Sequence, residues 1–528
     1  AWRSAHEGVA WSIESQTNVV GSSRQDQTLR FAQRGQEAPK VDLADYLITL
    51  RAGRARLSLG HVNAGTNRHL MNGFGSRGVT LATDMGPTTV TLSALNGSSI
   101  VGWNNPLGLA EERHRVTAAA LGTELIRQRP GALRVELSLL DGSLLPQTSF
   151  TQGAVVDAEE SRGAGLQVSA STPDQRMRFT VGYARSRFTN PARDPQLLGD
   201  TAVRPVRPET RSSQFVEVGV GLLQNAQVRL LGATSLNAAY RHERIDPLYR
   251  SVAASTQADL QQNAFELNGN VGLLSAQLTH ARSHDNLDEV LSVLRTLSRQ
   301  TAASVALPLT SVARLRRVAK WLPALGYSMG HTHQFAAGTP TNGDFRPTDL
   351  PDQVSLTHNA DAQWQPAGAL RATYRFSSSD QDNRQPTREL ADFAARTHAM
   401  TLAIALGACE VSVEASSERQ LAKERGEKSN VRRLGLGVTW RPWHATSIIA
   451  LMNTVNAHDA SRPTGSRNNE ARFEVSQGLM PSGGVSRGQL FLRYALTAAR
   501  VPFADAVPAE LAWQRQWTLS SGVSLRLF

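Results

Sequence analysis

The chain of 528 residues is poor in cysteine, in lysine and in long apolar runs. The lone Cys409 excludes a disulfide framework within the chain. It falls in phase with Val411, Val413 and Ala415, opposite Glu410, Ser412 and Glu414, and reads as a small lipid-facing apolar residue and not as a nucleophile. No stretch approaches the roughly 18 apolar residues a membrane helix needs, and the mean hydropathy is -0.30. Helical membrane spanning is therefore excluded. The opening Ala1-Trp-Arg-Ser-Ala-His-Glu7 lacks the apolar segment of a signal peptide, so the numbering is expected to start on a mature or truncated chain.

What is present is alternation with a period of two. Leu133, Val135, Leu137 and Leu139 are opposed by Arg134, Glu136 and Ser138. Met177, Phe179, Val181 and Tyr183 are opposed by Arg176, Arg178, Thr180 and Gly182. Val216, Val218 and Val220 face away from Glu217 and Gly219, and Leu370, Ala372 and Tyr374 from Arg371, Thr373 and Arg375. The pattern returns at Leu434, Leu436 and Val438 against Arg433, Gly435 and Gly437, and at Leu490, Leu492 and Tyr494 against Phe491 and Arg493. A helix, with a period of 3.6, would scramble these faces. The chain is mostly strand, with no linker or shift of composition to divide it.

The last segment carries the same pattern to the C-terminus. Trp517, Leu519, Val523, Leu525 and Leu527 alternate with small and polar residues, and the sequence given stops at Phe528. Gly522-Val-Ser-Leu525-Arg-Leu527-Phe528 resembles the closing-strand assembly signal of Gram-negative outer-membrane β-barrels. The resemblance implies an all-β fold: a large transmembrane antiparallel up-and-down barrel, here of 22 to 26 strands, in the bacterial outer membrane. It also implies outer-membrane lipid, the barrel-assembly machinery and other envelope proteins as partners, and no nucleic acid. Residues 1–40 are expected to form first strands or a periplasmic lead-in, and 41–528 the barrel. With no evident plug-domain stretch before the barrel, a siderophore-type receptor is not expected, and one cysteine departs from the several of the large lipopolysaccharide-inserting barrel.

Four lysines, Lys40, Lys320, Lys423 and Lys428, leave arginine to supply the rest of the 56 basic residues and a net charge of +11. The arginines are spread along strands, not gathered in a nucleic-acid-binding block. In the barrel phase Arg134, Arg176, Arg178, Arg371, Arg375, Arg433 and Arg493 face the lumen with Glu136 and Glu217. Facing lipid at midplane, each arginine would cost about 2–4 kcal/mol. Two readings stay open: an anion-favouring lumen, or a ladder in which arginine pairs with Glu136, Glu217, Glu410, Glu414 and Glu474 and braces the wall.

Catalytic and cofactor signals are poor. Gly73-Phe-Gly-Ser-Arg-Gly78 precedes a strand-like run where a phosphate loop needs a helix. His331-Thr-His333, His280, His284 and His358 read as lumenal or loop histidines, since no acidic or thiol set has ligand spacing around them. Ser311 to Leu322 spaces Val312, Leu315, Ala319 and Leu322 helically among Arg314, Arg316, Arg317 and Lys320; it is either a basic surface helix or a turn with one helical turn. Trp440, Trp443, Trp513, Trp517, Tyr183, Tyr374 and Tyr494 fall near strand ends, as girdle residues do. No enzyme, metal or cofactor is expected. The leading function is a conduit or scaffold that passes or houses a macromolecule; a passive anion-preferring channel and a structural or adhesion barrel are the alternatives.

Overall fold

The computed structural model describes residues 2–8, 11–21, 41–97, 105–110, 114–144, 159–189, 208–228, 232–309, 321–341, 345–386, 388, 390–424, 426–443, 445–459, 466–482, 485–500 and 514–525. Residues 311–320 of the basic segment Ser311 to Leu322, and Trp513, Leu527 and Phe528, lie outside them.

Period-two alternation makes strands, and among the described residues they join in a single 25-stranded sheet. The strands are β1 Trp2–Glu7, β2 Trp11–Gly21, β3 Val41–Ala52, β4 Ala55–Ala64, β5 Phe74–Met85, β6 Thr88–Asn96, β7 Arg115–Glu124, β8 Leu133–Leu144 and β9 Glu159–Ser171. Then come β10 Met177–Thr189, β11 Glu209–Val228, β12 Gly232–Ile245, β13 Leu260–Val271, β14 Leu274–His284, β15 Thr296–Pro308, β16 Ala324–Ala336 and β17 Asp352–Ala367. The last are β18 Leu370–Asn383, β19 Phe393–Leu406, β20 Cys409–Ala422, β21 Glu427–Trp440, β22 Thr446–Asp459, β23 Ser466–Ser482, β24 Val485–Arg500 and β25 Gln514–Leu525. Each pairs antiparallel with its neighbours in sequence, as β7 with β8 and β24 with β25. The strand count falls within the expected range.

Connections alternate in length. Those leaving odd strands include the tight turns Gly53, Gly86, Gly272 and Gly407, all at positive φ that glycine adopts without a Cβ clash. Those leaving even strands are mostly longer. One end of the sheet is thus a turn end and the other a loop end, as in outer-membrane barrels. Some strands run far toward the loop end: β18 continues to Asn383 and β12 to Ile245. Strands of 14 residues, such as β18 and β19, exceed the 9–11 that a membrane-spanning strand needs. The Leu- and Val-rich stretch 288–298 is loop until Thr296 opens β15.

The sheet curls. His69, five residues from either flanking strand, meets Glu243 on β12, seven strands beyond β5. On a flat sheet that separation would be about 34 Å, yet five residues reach at most about 17 Å. The face bearing His69 and Glu243 is therefore concave. Among the described residues β1 and β25 do not pair with each other, and both run from the loop end toward the turn end.

Candidate functional site

Directly opposed residues in antiparallel strands share a face, so the register assigns each predicted side chain. Glu124 opposite Arg134, Gly122 opposite Glu136 and Gly219 opposite Arg178 share one face. Arg241 opposite Glu217 continues it, as do Asp361 opposite Arg375 and Ala403 opposite Arg371. Ser416 opposite Arg433 and Glu474 opposite Arg493 complete it. Arg176 stands in the turn before β10, 3.3 Å from Asp174. On the other face large apolar side chains stand in the open: Leu139 is 50% exposed and Leu492 47%, against 4% for Leu140 on the concave face. Trp440 closes β21, and Trp443 stands exposed at the turn end.

The concave charges are largely paired. Arg134 reaches Glu124 at 3.3 Å and Glu136 at 3.5 Å; Arg433 reaches Glu418 at 3.2 Å; Arg493 and Arg472 converge on Glu474 at 2.9 and 2.5 Å. These contacts follow the bracing ladder more closely than a free cationic surface. Among the described residues Arg178, Arg371 and Arg375 have no such ion pair. Between the charged rows, Asn268, Asn270, Gln277, Ser304, Ser328 and Asp361 line an open groove of about 400 Å³.

Sequence reasoning missed the inward fold of two loops at the loop end. In the loop between β4 and β5, Asn67 Oδ1 accepts the His69 amide at 3.0 Å and its carbonyl accepts the Met71 amide at 2.9 Å, closing a tight turn. That turn pushes Leu70 and Met71 inward, where they are 0% and 1% exposed. The loop after β12 meets it: Tyr249 Oη donates to the His69 carbonyl at 2.9 Å and Ser251 Oγ to the Leu70 carbonyl at 2.6 Å, while Met71 bridges to Ala253. Burial pushes the Tyr249 phenol up to about 12.

Both loops are fastened to the wall. Arg68 donates to Glu217 at 2.8 Å and stacks 4.5 Å over the Phe215 ring; His69 meets Glu243 at 2.5 Å and packs edge-on against Phe215. Arg250 donates to Glu159 at 2.8 Å. Val62, Leu95, Val116, Leu140, Ala184, Phe188 and Ile245 complete the apolar cluster around Leu70 and Tyr249. Glu217, expected as a lumenal charge, thus anchors a loop.

His331 and His333 correct the reading as lumenal or loop histidines: both lie within β16. They share the apolar outer face with Tyr327 and Met329, since their opposites Thr301 and Arg299 lie there. His280 opposite Thr301 and His358 opposite Met329 lie there too. His333 is held by Asp352 at 2.9 Å and stacks on Phe335. The described residues contain no cluster of three metal-ligating side chains. Cys409 lies on this outer face, opposite Trp440. Gly522 lies on β25 opposite Phe491, and Leu525 ends that strand opposite Gly488.

No family model matches the chain, and no curated protein matches it. Among solved structures it is similar to the ferric preacinetobactin receptor BauA of Acinetobacter baumannii, at 8% identity over 98% of this chain and 71% of that one, TM-score 0.34. It is also similar to the E. coli P pilus tip assembly intermediate PapC-PapD-PapK-PapG, at 11% identity over 98% and 56%, TM-score 0.38. The P pilus usher PapC translocation pore aligns at 11% identity over 99% and 94%, TM-score 0.34. At these scores the likeness supports no functional step, which has to come from the residues themselves.

Proposed function

We propose that the chain is a non-enzymatic outer-membrane barrel that passes or houses a macromolecule or partner protein, assembled by the barrel-assembly machinery and seated in lipid with other envelope proteins. The observation that carries this is the division of one continuous sheet into an exposed apolar face and a concave polar face partly filled by its own loops. Exposed apolar surface of this extent marks a membrane or a partner. With strands about 4.8 Å apart and tilted about 40°, a closed 25-stranded wall measures about 50 Å across. A domain of about 100 residues, with a radius of gyration near 13 Å, fits such an interior. The paired arginines argue against the anion-preferring channel: a cation already neutralised by Glu136, Glu418 or Glu474 attracts solute weakly. In this reading Gly522, Leu525, Leu527 and Phe528 form the assembly signal.

Conductance in a planar bilayer tests the reading, with heat-dependent gel mobility as the check on folding. Low conductance from folded protein that rises when the inner loops are released supports a gated conduit or housing. Large, steady, anion-selective steps from the unaltered chain would replace it with the channel.

A further inference from the structure

Like charges placed directly opposite each other across two strands destabilise a sheet, yet among the described residues the outer face carries four opposed arginine pairs. Arg162 faces Arg187 on β9 and β10, and Arg282 faces Arg299 on β14 and β15. Arg396 faces Arg419 on β19 and β20, and Arg467 faces Arg500 on β23 and β24. All four lie within about one turn's length of the loop end, above apolar residues such as Leu278, Val305, Met400 and Leu402 on the same face. Only Arg162 has a carboxylate at ion-pair distance among the described residues, Asp141 at 3.2 Å. The remaining pairs have weaker company: Arg299 stacks on Phe335, Arg467 touches Asn469, and Arg500 Nε is buried with no hydrogen-bond partner.

We propose that these pairs form a belt of binding sites for the phosphate groups of membrane lipid headgroups at the loop-end surface of the bilayer. Two guanidinium groups on adjacent strands, their Cβ atoms about 5 Å apart, converge on one phosphate, and the planar fork of arginine suits its oxygens better than lysine would. The aliphatic stems lie along the apolar band while the charged ends reach the headgroups. The placement is one-sided: the fifth opposed pair, Arg51 with Arg56, sits at the turn end on the concave face. The proposal rests on the membrane-barrel reading.

The test compares wild type with the triple variant Arg299→Gln, Arg419→Gln, Arg467→Gln, and with Arg51→Gln as an off-belt control. Each is placed in nanodiscs of a neutral, phosphate-free galactolipid, of that galactolipid with diphosphoryl lipid A, and of the galactolipid with inorganic phosphate in solution. Thermal unfolding and bound-lipid mass are read. In neutral lipid the triple variant unfolds at or above the wild-type temperature, because repulsion is relieved. With lipid A the wild type gains stability and retains lipid; the variant retains it at least about tenfold more weakly, the loss expected for one charge-assisted hydrogen bond, and the control matches wild type. Equal retention by variant and wild type overturns the belt. Equal stabilisation by inorganic phosphate overturns the lipid as its ligand. Failure of wild type to enter any nanodisc overturns the barrel reading and the belt with it, a result distinct from insertion without lipid dependence.

Discussion

His69 and Glu243 meet at 2.5 Å although 174 residues separate them in the chain. The contact joins a loop between neighbouring strands to the wall seven strands away, and His69 is almost wholly buried. Glu243→Ala leaves that imidazole facing an apolar cluster without its carboxylate, at a cost of about 1–3 kcal/mol. Faster proteolysis within 65–73 and larger bilayer conductance are the expected outcomes; unchanged cleavage and conductance would mean that the pair does not hold the loop.

Leu70 supplies the apolar half of the same fastening. Leu70→Ala removes a fully buried side chain, and the expected loss is about 2–5 kcal/mol. Most of that loss is local, so hydrogen exchange should rise in 65–73 and 246–254 while the amides of β16 to β22 stay protected. Uniform loss of protection would show that the inner loops brace the whole wall.

The Tyr249 phenol, raised to about 12 by burial, links the two inward-folded loops to alkaline pH. The sign follows from the neutral form being favoured: the stabilisation is complete below about pH 10, the unfolded value, and disappears as pH rises through about 12. Alkaline difference spectra should show Tyr249 ionising later than the exposed tyrosines, with loop release at the same pH. Tyr249→Phe removes that late step and about 0.5–1.5 kcal/mol with the hydrogen bond to the His69 carbonyl.

Asp392 offers the opposite dependence at an exposed loop. Hydrogen bonds from Lys423 at 2.7 Å and from the Asn383 amide at 3.0 Å hold its carboxyl below the usual range. A depressed carboxylate stabilises above its unfolded value, about 3.9, and the contribution is lost as pH falls through the lower folded value. Exchange at the Asn383 amide should rise under acid in the wild type, and Asp392→Asn should exchange faster already at neutral pH.

How much of this was legible depended on periodicity. Leu133 to Leu139 announced both the strand and its outer face because every second residue repeats. Tyr327 and Met329 carry the phase that places His331 and His333 outside, but two polar imidazoles interrupt the apolar run that would mark that face. Leu70, Met71 and Tyr249 were illegible: an apolar residue in a loop has no period, and the partner that buries it lies about 180 residues away. The bracing role of Arg134 and Arg493 was available from sequence only as one of two readings, since opposite charges show no register until strands are paired.

Strand direction yields the last prediction. β1 and β25 both run from loop end to turn end, so their direct union would be parallel, whereas β2 runs the other way and could join β25 antiparallel. β1 occupies the edge of β2 that such a union needs, from Trp2 opposite Thr17 to Glu7 opposite Ser12. Antiparallel ladders are somewhat more stable per residue, and 24 strands restore the even number of bacterial barrels. Deleting 1–10 should therefore leave a folded barrel with undiminished heat-dependent mobility. Cysteines placed on β2 and β25 should then cross-link more readily than in the full chain. If the deletion abolishes folding, β1 is an integral wall strand and closure involves it directly.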